Sequence, residues 1–247
     1  MDILKYTLRI ADSSLILAQR LSAWCSSGPT LEEDIALTNI SLDLFGQANG
    51  FLEYAANLDG KRSADDLAFK RDSEEFFNLQ ITEQENGHFG DTIARQFLYS
   101  SFFLLFYNEL SNSKDETLAA IAAKSLKEIK YHLRYSSNWI IRLGNGTKES
   151  KKKIQKSFDD IWSFTGEFFE MDDLDNNMHQ DGIGVNNIAL KDQWNKSVSE
   201  ILKESTIEIP KVIEMKTGSK KGIHTNLLKD ILKEMQYLPR KYPDAKW

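Results

Sequence analysis

The stretch His88-Phe89-Gly90-Asp91-Thr92-Ile93-Ala94-Arg95-Gln96-Phe97-Leu98-Tyr99-Ser100-Ser101-Phe102-Phe103-Leu104-Leu105-Phe106-Tyr107-Asn108-Glu109-Leu110 runs for a full helix length without proline or apolar/polar alternation. Its spacing predicts a helix over about 88–110. Between Phe97 and Tyr107 apolar residues fall on nearly every side of that helix. Such a helix belongs at the centre of a bundle or under a partner chain. It is too short to span a bilayer and is cut by Ser100 and Ser101.

Outward from this segment the periods remain helical. A first helix is predicted over about 6–24, with Leu8, Ala11, Leu15, Ala18 and Leu21 or Ser22 along one stripe. After the turn Ser26-Ser27-Gly28-Pro29, Thr30 with Glu33 reads as a capping box. It opens a second helix carrying Ile35, Leu42, Phe45, Leu52 and Ala55 and closing near Gly60. A charged, less regular segment leads to Gly87. Downstream, Ser113 or Lys114 opens a fourth helix ending near Gly144, and Thr147 with Ser150 opens a fifth that runs to Phe169. An acidic loop over about 171–187, a helix over about 190–204 and a C-terminal arm (about 188–247) complete the chain. Long helices joined by short turns predict an all-α antiparallel bundle with additional helices. No linker or repeat divides 1–247, so a single domain is expected.

The composition limits the function classes. The 247 residues carry 37 acids against 31 bases, net charge −6. Without a basic surplus, sequence-independent nucleic-acid binding is not expected. The single cysteine, Cys25, allows no internal disulfide or thiolate cluster and fits a reducing compartment. No secretory signal is read at Met1-Asp2-Ile3-Leu4-Lys5, and the expectation is a cytoplasmic protein without membrane attachment.

Bundles of this size can hold a di-iron centre, which needs about four carboxylates and two histidines, with Glu-x-x-His pairs on two helices. The one Glu-x-x-His, Glu85 to His88, straddles the turn dipeptide Asn86-Gly87. Elsewhere the helices offer Asp12; Asp43 and Gln47 in a ladder with Asn39; Asp91; and Glu128 with His132. Each of the four long helices thus carries an acid on or beside its inward face. The set is nevertheless short of ligands, and an amide stands where a histidine is needed. The expectation is a degenerate site: a polar hydrogen-bonded network at Asp12, Asp43, Gln47, Asp91, Glu128 and His132, holding no metal. Asp91 with Arg95 also reads as a surface ion pair, and Glu128 with His132 as a satisfied buried pair. No nucleophile elbow, phosphate-binding loop or Cys-x-x-Cys is present. The lysine loop, Lys216 to Lys221, is either solvated or, at Lys220 and Lys221, a contact for a phosphate-bearing ligand.

A set of blocks then resembles the C-type chains of the multicomponent phenylacetyl-CoA epoxidases. These are Tyr6-Thr7-Leu8-Arg9, Gln19-Arg20-Leu21-Ser22-Ala23-Trp24-Cys25, Leu31-Glu32-Glu33-Asp34-Ile35-Ala36-Leu37, Leu42-Asp43-Leu44-Phe45-Gly46-Gln47-Ala48 and Asp91-Thr92-Ile93-Ala94-Arg95-Gln96. Lys127-Glu128-Ile129-Lys130-Tyr131-His132-Leu133-Arg134, Arg142-Leu143-Gly144-Asn145-Gly146-Thr147, Gly222-Ile223-His224-Thr225 and Glu234-Met235-Gln236-Tyr237-Leu238 continue it towards Trp247. The family more usually reads Glu-Gln-Pro-Asn-Gly where Glu85 here replaces the proline and His88 follows.

The resemblance implies a ferritin-like helical fold and a structural, non-catalytic subunit. It would pair with a paralogous A subunit that holds the di-iron centre, beside a small B subunit. A reductase with FAD and an iron–sulfur cluster would supply electrons from NADPH. No cofactor is implied for this chain. The apolar face of the third helix and the stripe Tyr131, Tyr135, Trp139 are candidate partner contacts, with core packing as the alternative. Two other classes stay open: an autonomous di-iron oxidase or oxygenase, and a homodimeric helical protein without an oxygenase partner.

Overall fold

The computed structural model describes every residue except 1, 213, 244, 246 and 247, so Trp247 lies outside the described residues. Among those described, all regular structure is helical. In chain order the helices are α1 (Asp2–Ser22), α2 (Leu31–Asp59), α3 (Ala64–Phe69), α4 (Phe89–Leu110), α5 (Glu116–Gly144), α6 (Lys148–Ile161), α7 (Asp173–Gln180), α8 (Lys191–Glu204), α9 (Asn226–Met235) and α10 (Tyr237–Lys241). Two compact units emerge, one formed by Met1–Glu85 with Gly218–Trp247, the other by Asn86–Thr217.

In the first unit α1 and α2 pack along each other as a hairpin. The start of α2 is the one expected: the Thr30 hydroxyl accepts from Glu33 N–H at 3.5 Å. Its end is set by Gly60, whose φ of 67° makes the left-handed C-cap that glycine adopts without a Cβ penalty. Helix α1 is buried continuously from Tyr6 to Ala18, more than one stripe. Part of that cover is the irregular segment after α3, whose backbone groups are satisfied by side chains of α1. Phe77 N–H donates to Asp12 Oδ2 at 3.0 Å and Leu79 N–H to Ser13 Oγ at 3.2 Å. Arg20 Nε donates to Glu83 O at 2.8 Å. A buried segment without ladder partners needs such bonds, since each orphaned backbone group costs as much as a lost hydrogen bond.

In the second unit α4 and α5 form the long pair, with α6 and α8 against them. The all-round apolar character of α4 is explained inside this unit. Phe102 stacks on Phe168 at 4.7 Å, Phe97 meets Phe158 edge-on at 6.1 Å, and Phe169 contacts Trp194 at 5.4 Å. Phe97, Phe102, Phe103, Phe106 and Tyr107 are all buried. Each such ring contributes about 2–3 kcal/mol by leaving water. Core packing, not a partner face, accounts for α4.

The boundaries differ from the sequence reading where local chemistry competes with periodicity. The fifth helix does not reach Phe169: α6 stops at Ile161, and Trp162–Phe169 tightens into a 3-10 helix. Ser163, Thr165 and Gly166 are weak helix formers, and the Thr165 hydroxyl donates to Trp162 O at 2.8 Å. Within the expected acidic loop lies α7, started by a reciprocal capping box between Asp172 and Asp175 and anchored by buried Met178.

Candidate functional site

The first buried polar centre lies on α1. Asp12 is fully buried and paired with Arg71 just beyond α3. The guanidinium meets the carboxylate two-pronged: Nη1 is 3.0 Å from Oδ2, and Nη2 bonds Oδ1. Oδ2 also accepts Phe77 N–H at 3.0 Å. Arg71 is held in turn: Nη1 donates to Glu75 O at 2.9 Å, and its plane lies 4.1 Å from the Phe76 ring centroid. The planar fork matches a carboxylate as no lysine can.

A second centre was missed by reasoning on the sequence. Glu83, fully buried, receives four hydrogen bonds. Oε1 takes Asn78 Nδ2 at 3.0 Å and His224 Nδ1 at 2.6 Å. Oε2 takes Thr225 N–H at 2.8 Å and the Thr225 hydroxyl at 2.6 Å. His224 Nε2 lies 2.8 Å from Phe76 O, which only accepts, so Nε2 carries a hydrogen. A second proton therefore lies between Nδ1 and Oε1, and the other donors aimed at the carboxylate favour its place on the ring. Thr225 occupies the N-cap of α9 yet spends its hydroxyl on Glu83. The carboxylate sits at the positive end of that helix. The available signal was His224-Thr225 ahead of an amphipathic run, but nothing local pointed to Glu83.

Beside these, Asp43 is half-buried and Gln47 buried on α2, one turn apart. The Arg20 pKa is lowered by burial, opposed by the charges of Glu85, Asp230, Glu83 and Glu234.

In the second unit, His88 is not a helical ligand but the N-cap of α4. Its Nδ1 accepts Asp91 N–H at 3.2 Å, while Asp91 Oδ2 accepts His88 N–H at 2.9 Å. Asp91 Oδ1 accepts the Ser157 hydroxyl at 2.6 Å, tying α4 to α6. Arg95 is buried rather than part of a surface pair, and its Nη2 donates to Asn86 Oδ1 at 2.6 Å. Glu85 and His88 both lie on irregular backbone, so their spacing does not set two ligands on one helix face. On α5, half-buried Glu128 precedes fully buried His132 by one turn. Tyr131 is exposed on the same helix, and Trp139 meets Phe89 edge-on at 5.0 Å.

Asp12 and Asp91 do not fit a di-iron ligand set. Asp12 turns both oxygens to a guanidinium, and a cation already neutralises the charge that a metal would need. Asp91 is committed to a helix cap and to Ser157. Within either unit, no three His, Cys, Asp or Glu among the described residues come close enough to share an ion.

The model for the phenylacetic acid catabolic protein family matches residues 1–247. The chain belongs to that family. It is also 46% identical over 242 residues, 98% of each chain, to the C component of the 1,2-phenylacetyl-CoA epoxidase of Escherichia coli (strain K12). In this family member no helix among the described residues is long and apolar enough to cross a membrane. Lys220 and Lys221 lie in a 3-10 turn bracketed by Gly218 and Gly222 at φ values of 128° and 72°, with Lys221 exposed and Lys220 half-buried. Cys25 is exposed, and no disulfide forms.

Proposed function

We propose that this chain is a structural, non-catalytic subunit of a phenylacetyl-CoA epoxidase, built on a ferritin-like helical plan and paired with a catalytic A subunit. The end-to-end similarity to a C-type epoxidase chain supports the assignment. The observation that carries its non-catalytic half is Asp12: a helix-borne carboxylate buried against Arg71 instead of open to an ion. On this reading Asp12, Asp43, Gln47, Asp91, Glu128 and His132 are polar positions of the core, and the chain holds no cofactor. The di-iron centre belongs to the A subunit, and NADPH, FAD and the iron–sulfur cluster to the reductase, with a small B subunit in the assembly. What this chain supplies is rigidity: internally neutralised buried charges leave a stiff surface for the partner's iron-bearing helices. Lys220 and Lys221 are the contact proposed for a CoA phosphate.

The test is reconstitution with the A subunit of the same organism and its reductase. The pair epoxidises phenylacetyl-CoA, this chain alone does not, and Glu128→Gln here leaves kcat within about threefold, where a ligand-sphere change costs about ten-fold or more. Turnover by this chain alone would make it an autonomous oxygenase, and failure to bind any A subunit would leave the homodimer reading. Charge reversal at Lys220 and Lys221 weakens acyl-CoA binding by the pair; unchanged affinity removes that contact.

A further inference from the structure

Helix α2 has two apolar faces. One is buried in its own unit and includes Leu37, Ile40, Leu44, Phe51 and Leu52. On the other side, Leu31 is 72% exposed, Ile35 51% and Leu42 60%, with half-buried Phe45 continuing the line. With Thr38 and Asn49 these positions alternate in steps of four and three, the spacing of a helix–helix seam. Single exposed leucines need no explanation, but an ordered line along one helix does.

Gly46 lies beside this line. A Cβ built there would meet nothing within 4 Å, so no contact inside the chain calls for glycine. In mid-helix glycine is less stable than alanine, and what it offers in exchange is close approach of another backbone.

The charge pattern argues against a second copy as the occupant. Along its length α2 carries Glu32, Glu33, Asp34, Asp43 and Glu53 and no lysine or arginine, while Asp59 at its end is paired with Arg62 at 3.0 Å. A second copy laid α2 against α2 would set acids against acids, and like charges across a seam are disfavoured. We propose that the exposed α2 seam from Leu31 to Phe45 docks an amphipathic helix of the catalytic partner, apolar along its contact line and flanked by lysine or arginine, crossing closest at Gly46. This rests on the pairing proposed above and assigns it a surface. A seam of this length is the centre of a standard interface rather than its whole area.

The experiment compares wild type with Ile35→Lys/Leu42→Lys in binding to the purified A subunit, with circular dichroism and thermal unfolding of the free chain as fold controls. Both side chains are exposed, so the variant keeps its fold while affinity falls about 100-fold, as for two central apolar anchors. Gly46→Leu raises the melting temperature of the free chain yet weakens the pair. Glu32→Lys/Glu53→Lys weakens it most at low salt. If wild type binds and Ile35→Lys/Leu42→Lys binds as tightly, the seam is refuted while the pairing stands. If wild type does not bind, the pairing falls and the seam with it. If wild type alone sediments as a dimer that Leu42→Lys dissociates, the occupant is a second copy and the proposal is wrong.

Discussion

His224 Nδ1 lies 2.6 Å from Glu83 Oε1, a contact spanning 141 residues of chain. It binds the segment entering α9 to the irregular segment that covers α1. With Thr225 and Asn78 it satisfies a fully buried carboxylate.

Breaking that pair from one side leaves a buried charge without its counterion. His224→Ala is therefore expected to lower the unfolding free energy by about 3–5 kcal/mol, read from urea denaturation. A loss below about 1 kcal/mol, the value of an ordinary hydrogen bond, would mean that the cluster is not an ion pair.

The Asp12–Arg71 pair follows the same physics with a further arm. Asp12→Ala strands a guanidinium and costs about 3–5 kcal/mol, whereas Asp12→Leu with Arg71→Met removes both charges and recovers most of the loss. Equal damage in the single and double variants would indicate that shape, not charge, holds the segment after α3 to α1.

At the start of α3, Asp66 is the N3 member of a reciprocal capping box with Ser63. The Lys70 ammonium, at 2.6 Å, and the Ser63 N–H and hydroxyl hold its carboxyl down to about 2. A pKa depressed in the folded state means stability that is complete above the ordinary aspartate range and lost as pH falls through the folded value. The contribution thus fades from about pH 4 to pH 2. Asp66→Asn flattens that part of the stability profile and costs up to about 1 kcal/mol at pH 7, solvent screening keeping it small. An unchanged acid profile would refute the assignment.

Gly144 ends α5 where the chain leaving α8 crosses it. A Cβ there would stand 2.0 Å from the Ser205 carbonyl oxygen, a backbone atom that cannot swing aside. Gly144→Ala should destabilise by about 1–3 kcal/mol despite alanine's better helix propensity, measured by thermal unfolding. A stabilised variant would show that the crossing is loose.

Much of the helical plan was legible because its punctuation is local. Thr30 and Gly60 bracket α2, Thr147 opens α6, and the apolar run from Phe97 marks α4 as central. What escaped depends on distant partners or on short segments. The partner of Asp12 sits 59 residues away in a segment read only as charged and irregular. Glu83 and His224 are farther apart still. Residues 162–169 carry a helical apolar period, yet Ser163, Thr165 and Gly166 let the aromatic packing draw them into a 3-10 helix. His88 formed a metal-like spacing with Glu85 on paper, and the backbone uses it as a cap instead.

If the buried acids are neutralised from within and leave no ligand set, the purified chain should not retain iron. The most direct test is metal analysis by mass spectrometry after anaerobic incubation with ferrous ion and desalting. Less than about a tenth of an equivalent of iron is the expected result. About two equivalents, the content of a di-iron bundle, lost in His132→Ala, would contradict it.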